Sequence, residues 1–329
     1  MVLEHPAHLG VLGEGAWGTA MAHLLATNGH DVLIWCHEQA CADEINFKHT
    51  NNRYAPGILL PITLRATTSL KEIFEHSQTI FEAVPVQFLR TTLEQAKPFV
   101  QPNHHFVVLS KGIEAESLSL ASQIITELYG NSTPITVLSG PSFSKDILAQ
   151  QPTAVMLASQ HQVWSHTIQK IVDNNYFSTQ ISDDYLGVQA CGAYKNVATL
   201  GIGIVEGAGY GANTQFLALM KSIEEMKLVI EAFGGHPATA YSFAGIGDLT
   251  LTAFGGCSKN RKVGGLLGQG KGLDAILQET GIIPEGVNTL VSLHQFSQKR
   301  GIVFPLSAAI YGVVYENKPA STLIDSLRR

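Results

Sequence analysis

Apolar positions along this chain change their rhythm near residue 183. Before it, short apolar runs recur, each followed by residues at helical spacing. His8–Leu12, Asp31–Trp35, Thr79–Val84, Phe106–Leu109, Ile135–Leu138 and Thr153–Ala158 read as strands. Met21, Leu24 and Leu25 space a helix that stops at Asn28-Gly29, another is expected near Phe88–Lys97, and residues 162–172 form an amphipathic stretch. Repeated β-then-α units predict a doubly wound, mainly parallel sheet. After Asp183 strand signals nearly vanish. Tyr185–Val205 is almost wholly apolar. From Asn213, read as an N-cap, Phe216, Leu219, Met220, Ile223, Met226, Ile230 and Phe233 keep helical spacing up to Gly234-Gly235, and Pro319–Arg329 predicts a short last helix. The chain reads as α/β over residues 1–181 and all-helical over 182–329.

The first strand opens into Gly13-Glu14-Gly15-Ala16-Trp17-Gly18, and a helix and second strand follow within about 30 residues. In such a turn the glycines allow a tight bend, close approach to a pyrophosphate and close helix–sheet packing. The helix N-terminus offers unpaired N–H groups to phosphate oxygens. The second strand ends Trp35-Cys36-His37-Glu38. His37 suits a 2′-phosphate and Glu38 a ribose 2′-hydroxyl, so NADPH and NADH both stay open, with the histidine favouring NADPH.

One charge, Lys195, interrupts Tyr185–Val205. About 20 apolar residues can span a bilayer, but a central lysine is costly there and the flanking Asp183-Asp184 and Glu206 supply no basic anchor. No stable membrane insertion is expected. A buried lysine instead tends to shift its pKa, which makes it an acid or base near neutral pH. Ser110-Lys111-Gly112 and Ser139-Gly140-Pro141-Ser142 each follow a strand, and ligands of such sheets sit beyond the C-terminal strand ends. Two glycine-rich segments interrupt the helical half. In residues 244–252, Asp248 reads as an N-cap, which does not exclude a catalytic role. In residues 255–262, glycine, hydroxyl, amide and cations suit a phosphate, with a mobile basic surface loop as the alternative.

Composition narrows this further. Of 329 residues 45% are hydrophobic and 15% charged, against about 25% charged in an average domain. The deficit points to large cores or a buried subunit interface. A net charge of −6 without a basic block excludes a nucleic-acid surface. The four cysteines form no C-x-x-C pair, as suits reduced thiols in a cytoplasmic protein. The histidines include no H-E-x-x-H, and His104-His105 are adjacent, so no metal site is expected. The N-terminus shows no basic-then-apolar leader.

In their order, GEGAWGTA at 13–20, SKG at 110–112, SGPSF at 139–143, GAYKN at 192–196, GIGDLTLT at 245–252, SKNRK at 258–262 and PEG at 284–286 resemble the soluble, bacterial-type NAD(P)-dependent glycerol-3-phosphate dehydrogenases. The resemblance implies a Rossmann-type domain joined to a helical domain like that of 6-phosphogluconate dehydrogenase. It implies reduction of dihydroxyacetone phosphate to sn-glycerol 3-phosphate by NADPH or NADH, without a metal, for phospholipid synthesis. Lys195 then carries the proton, Lys111 lies near cofactor and substrate, and Asp248 and Thr252 complete the catalytic group. The substrate is expected near Lys111, Gly140, Ser142, Lys195, Asp248, Ser258, Lys259 and Asn260. Cofactor positions fall on Gly13, Gly15, Ala16, Trp17, Gly18, His37, Tyr54, Lys111, Ser144, Lys259, Ile283 and Glu285. The family usually carries arginine where this chain has Lys259, with Arg261 close enough to compensate. A homodimer is expected from the low charge and the apolar helical faces. Another hydroxyacid or ketoacid reductase of the same plan, or a non-catalytic dinucleotide sensor, remains the alternative reading.

Overall fold

The computed structural model describes residues 6–281 and 284–328. The chain forms two compact units, Met1–Ser110 with Ala121–Tyr185, and Lys111–Leu120 with Leu186–Arg329. Lys111–Leu120 thus leaves the first unit for the second, an excursion with no counterpart in a single division of the chain near residue 182.

The first unit is built on eight strands: β1 (His8–Leu12), β2 (Asp31–Trp35), β3 (Arg65–Thr67), β4 (Thr79–Glu82), β5 (His105–Val108), β6 (Ile135–Ser139), β7 (Thr153–Ser159) and β8 (Phe177–Ser182). They form one sheet in the order β3-β2-β1-β4-β5-β6-β7-β8. The first six are parallel, β7 runs antiparallel to β6, and β8 pairs parallel with β7. Helices α1 (Ala16–Thr27), α2 (Gln39–Lys48), α3 (Leu70–His76), α4 (Val86–Ala96), α5 (Ala121–Tyr129), α6 (Ser144–Leu148) and α7 (Gln162–Val172) connect them. Leu9, Val11, Ile80, Phe81, Phe106 and Val107 are fully buried, as expected of strands covered on both faces. The order 3-2-1-4-5-6 reverses direction between β1 and β4, and the crevice at such a switch point is where dinucleotides bind. β3 and β8 carry too little pattern to announce themselves: one has three residues, the other a mostly polar, half-exposed sequence.

The described residues of the second unit hold helices and turns: α8 (Tyr185–Gly207), α9 (Ala212–Ala232), a π-type turn over Phe243–Gly247, α10 (Asp248–Phe254), α11 (Lys259–Gly268), α12 (Leu273–Thr280), α13 (Glu285–Arg300), α14 (Pro305–Tyr315) and α15 (Ser321–Leu327). In α8 every residue from Gly187 to Val205 is buried, so the helix is apolar all round because it is surrounded by protein. Small residues let α11 lie directly against it. A Cβ at Gly207 would sit 1.9 Å from the Gly265 carbonyl oxygen, and one at Gly264 or Gly268 would sit 2.2 Å from the Leu200 or Ile204 carbonyl oxygen. Backbone contact of this kind fixes the second half of α11 against α8.

α9 is capped at Gly211, which places Asn213 inside the first turn rather than at the N-cap. Leu219, Ile223, Met226, Ile230 and Phe233 are buried, whereas Phe216 and Met220 are exposed. Glu225, on the buried side, accepts hydrogen bonds from Leu306 N (2.6 Å), Ser307 N (2.8 Å), Ser307 Oγ (2.6 Å) and Tyr194 OH (3.0 Å). The carboxylate caps α14 and ties it to α8, beside Lys195. Among the described residues no helix is long and apolar enough to cross a membrane.

Candidate active site

Two sets of functional side chains are assembled, one in each unit. In the second unit, α8 presents Lys195 from its buried middle, α10 presents Asp248 and Thr252 one turn apart, and the 111–120 excursion presents Lys111. Lys195 Nζ donates to Asp248 Oδ1 at 2.5 Å and to Thr252 Oγ1 at 2.9 Å. Lys111 Nζ donates to the other oxygen, Asp248 Oδ2, at 2.6 Å. Thr252 Oγ1 also lies 3.3 Å from Asp248 Oδ1. Asp248 is 2% exposed, so one buried carboxylate serves two ammonium groups. The N-cap alternative for Asp248 falls away: Ser242 Oγ accepts from Ala244 N at the start of the turn, and both oxygens of Asp248 face lysines.

This geometry sets opposing electrostatics. Burial lowers the Lys195 pKa most, the Asp248 charge opposes that, and the Lys111 charge lowers it again, leaving it at about 8. Asp248 feels the reverse. Burial raises its pKa, but the two lysines outweigh burial and hold it below the usual carboxylate value. An ammonium poised near neutral pH beside a permanent counter-charge can give up and regain a proton at the pH of the cell.

Beside the lysine, Asn196 begins a chain of amides. Its Nδ2 donates to Glu285 Oε2 at 3.1 Å, and its Oδ1 accepts from Asn260 Nδ2 at 3.0 Å. Asn260 Oδ1 accepts from Gly286 N at 2.9 Å, and a Cβ at Gly286 would meet that oxygen at 2.5 Å. Ser258 Oγ caps α11 by accepting from Arg261 N. Lys259, the next residue, is exposed. Arg261, two residues further on, is engaged elsewhere. Its Nε and Nη2 pair with Glu206 at 2.7 and 2.9 Å, Nη1 donates to the Ala253 carbonyl, and its guanidinium lies 5.3 Å from the Phe254 ring centre.

In the first unit, the loop after β1 is held from several sides. Gly13 has φ +109°, a conformation that favours glycine. A Cβ at Gly18 would lie 1.9 Å from the Gly13 carbonyl oxygen, so the loop closes onto the helix only because residue 18 has no side chain. Asn51, fully buried and 37 residues away, donates to the Glu14 carbonyl (2.9 Å) and to Thr19 Oγ1 (2.8 Å). The Glu14 carboxylate accepts from His37 N at 3.1 Å. The loop fits a dinucleotide on three counts. Gly15 caps α1 with no side-chain hydrogen bond, so the first-turn N–H groups are uncapped. A Cβ at Gly15 would meet nothing within 4 Å, leaving open space above the turn. The buried Trp17 Nε1 has no protein partner.

At the end of β2, His37 is exposed, and the neighbouring Glu38 is engaged by Arg53 Nη1 at 2.6 Å to each oxygen. Tyr54 is half-buried with the Arg53 guanidinium 5.2 Å from its ring centre. Gly140 and Ser142 follow β6 in this unit. A Cβ at Gly140 would lie 2.8 Å from Val155 Cα, and Ser142 Oγ donates to the Gly140 carbonyl. Ser144 starts α6. Ala16 is exposed at the start of α1 and Glu285 at the start of α13. Ile283 lies outside the described residues.

Lys111, Lys195, Asp248 and Thr252 therefore form one hydrogen-bonded group, and Asn260 and Glu285 meet through Asn196. Gly140, Ser142 and Ser144 belong to the other unit with the glycine loop. Asn196 closes the GAYKN motif that carries Lys195, whereas Asn51 and Arg53 stand in a loop that no motif marks, and the partners of Asn51 are long-range.

The family model for the N-terminus of NAD-dependent glycerol-3-phosphate dehydrogenase matches residues 8–165, and the model for its C-terminus matches residues 184–325. The chain belongs to this family. The glycerol-3-phosphate dehydrogenase [NAD(P)+] of Desulfovibrio desulfuricans is 39% identical over 318 residues, 96% of this chain and 95% of that one. The Bacillus pumilus enzyme of the same name is 35% identical over 319 residues, covering 96% and 92% of the two chains. The crystal structure of glycerol-3-phosphate dehydrogenase from Coxiella burnetii superposes with a TM-score of 0.92 at 30% identity, over 98% of this chain and 99% of that one. Membership in a dehydrogenase family disfavours the non-catalytic sensor, and matches to both family models disfavour a carboxylate-specific reductase.

Proposed function

We propose that this chain is an NAD(P)-dependent sn-glycerol-3-phosphate dehydrogenase that reduces dihydroxyacetone phosphate for phospholipid synthesis, with Lys195 as its proton carrier. The observation that carries the reading is the buried Lys195–Asp248–Lys111 group, set in a chain that also holds a dinucleotide loop. A bound reduced nicotinamide supplies a hydride to C2 of the ketone. The protein supplies the rest.

Negative charge builds on the carbonyl oxygen as the C–O double bond opens. The Lys195 ammonium stabilises that charge and donates its proton, yielding the alcohol and a neutral amine that regains a proton from solvent. Asp248 and Thr252 fix the position of Nζ, so that little reorientation is needed as the charge develops. Lys111 adds a second positive charge against the same carboxylate and helps hold Lys195 near a neutral pKa. In the reverse direction the neutral amine accepts the hydroxyl proton.

Ser258, Lys259 and Asn260 at the start of α11 are assigned to the substrate phosphate, with Gly140 and Ser142 on the substrate side. The uncapped start of α1 and Gly13, Gly15, Ala16, Trp17 and Gly18 are assigned to the cofactor, with His37, Tyr54, Ser144, Ile283 and Glu285. The engagement of Glu38 by Arg53 supports acceptance of NADPH, because the carboxylate is neutralised and a guanidinium stands beside it. Exposed Phe216, Leu217 and Met220 on α9 support a homodimer, which light scattering would test. None of the four cysteines is in a disulfide, which supports action in the cytoplasm.

The deciding assay mixes the protein with dihydroxyacetone phosphate and either NADH or NADPH and follows nicotinamide absorbance. A substrate-dependent decrease is expected. No decrease with either cofactor refutes the reading.

A further inference from the structure

The starts of the central strands, opposite the glycine loop, hold a cluster with no place in the dehydrogenase chemistry. His8 opens β1 and Asp31 opens β2, and the two are paired in register across the parallel ladder. His76 ends α3, just before β4. His8 Nδ1 lies 2.9 Å from Asp31 Oδ2, and His76 Nε2 lies 3.9 Å from the same oxygen. All three donor atoms fall within 4.8 Å of one another. The two imidazole rings meet edge to face, with centres 5.2 Å apart. Arg65 Nη2 takes the other carboxylate oxygen, Asp31 Oδ1, at 2.9 Å, which leaves Oδ2 turned to the histidines.

We propose that His8, Asp31 and His76 form a divalent transition-metal site at the strand-start edge of the sheet. Two imidazoles and one carboxylate suit zinc, cobalt, nickel or copper, whereas magnesium and calcium prefer oxygen ligands throughout. Bonds of about 2.0–2.1 Å in a tetrahedron place ligand atoms roughly 3.4 Å apart. The two separations to Asp31 Oδ2 bracket that distance, at 2.9 and 3.9 Å, and the two imidazole donors lie within 4.8 Å of each other. Closing the site therefore takes small side-chain turns, and the His8 side chain, 65% exposed, is free to make them. Water completes the coordination sphere. His8 and His76 also line an open groove of about 710 Å³ with Phe74, Pro98 and His104, so solvent has access. The Arg65 guanidinium lowers the affinity without blocking the open carboxylate oxygen.

The site clips together segments distant in sequence: the start of β1, the start of β2 and the end of α3. It stands at the edge of the sheet away from the loop after β1, so the metal is a structural ligand and takes no part in the reaction. Residues 8, 31 and 76 come together only through the fold and share no local spacing.

The test uses the untagged full-length chain. Equilibrium dialysis against zinc chloride is expected to give one bound ion per chain. Cobalt chloride is expected to give a visible ligand-field spectrum that zinc displaces. His8→Ala and His76→Ala should each weaken zinc binding at least about tenfold, comparable to the losses that outer-sphere changes alone produce. Both variants should keep the wild-type dehydrogenase rate, and zinc should raise the melting temperature of the wild type only. Zinc uptake equal in wild type and the His8→Ala/His76→Ala double variant overturns the proposal. Stoichiometric uptake that survives unchanged in both single variants overturns it as well.

Discussion

Asp248→Asn removes one negative charge and almost no volume. In the native arrangement that charge sits against Lys195 at 2.5 Å and Lys111 at 2.6 Å. Taking about 4 Å between charge centres and an effective dielectric near 20, the attraction is about 4 kcal/mol. At 1.36 kcal/mol per pKa unit this corresponds to about 3 units, or about 2 to 3 allowing for the hydrogen bond that asparagine keeps. The Lys195 pKa, about 8 in the native protein, then falls to about 5 to 6, and repulsion from Lys111 acts in the same direction. At pH 7 the protonated fraction drops from about 90% to about 3%, so kcat/KM for ketone reduction falls about 30-fold from protonation alone. The loss should shrink as the assay pH approaches 5.5. The assay is the pH profile of dihydroxyacetone phosphate reduction in wild type and variant, with NADPH titration and a melting curve as controls for binding and folding. An unshifted limb near pH 8 in Asp248→Asn, with cofactor binding intact, refutes the reasoning.

Three other expectations follow from named contacts. Gly18→Ala forces a Cβ to 1.9 Å from the Gly13 carbonyl oxygen and should lower the melting temperature and abolish NADPH binding, whereas Gly15→Ala, with φ −58° and nothing within 4 Å, should leave the melting temperature unchanged while raising the NADPH Kd roughly tenfold. If Lys259 meets the substrate phosphate as proposed, Lys259→Ala removes a charged hydrogen-bond partner worth about 1.5–3 kcal/mol and should raise KM for dihydroxyacetone phosphate about 10- to 100-fold with kcat little changed; Lys259→Arg should not. The Glu82 carboxyl, fully buried and accepting from Val84 N (2.7 Å) and Ser110 Oγ (2.6 Å), is pushed up to about 7 by burial. Because its folded pKa lies above its unfolded one, the folded state holds the extra proton. The stability of wild type relative to Glu82→Gln should fall by up to about 3 kcal/mol as pH rises from about 4.5 to 7, a window that urea unfolding at several pH values would trace.

The sequence makes some of these features legible and hides others, for physical reasons. The glycine loop is local: strand, turn and helix are contiguous, so residues 13–18 announce their conformation. Lys195 is legible because one charge in a long apolar run needs a use, and a carboxylate is the natural partner for a buried ammonium. Asp248 as that partner is found at 2.5 Å. Lys111 on the same carboxylate is harder to foresee, because it depends on the excursion of Lys111–Leu120 into the second unit. The fate of Arg261 is not local either. Its guanidinium is held by Glu206, 55 residues earlier, a pairing created by glycine contacts between α8 and α11. Asn213 shows the limit of capping rules. It has the right chemistry for an N-cap, yet the helix begins two residues earlier and Gly211 takes the position. Asn51 acts through hydrogen bonds to residues 14 and 19, and no pattern around it marks that reach.

In the proposed reaction the Lys195 ammonium carries the proton. Lys195→Met keeps the aliphatic stem, which the buried setting of α8 accommodates, and removes the charge. The decisive measurement is dihydroxyacetone phosphate-dependent oxidation of NADPH by this variant, beside a fluorescence titration of NADPH binding. Nearly abolished turnover with cofactor binding close to wild type is expected. Near-normal turnover would rule out Lys195 as the proton carrier.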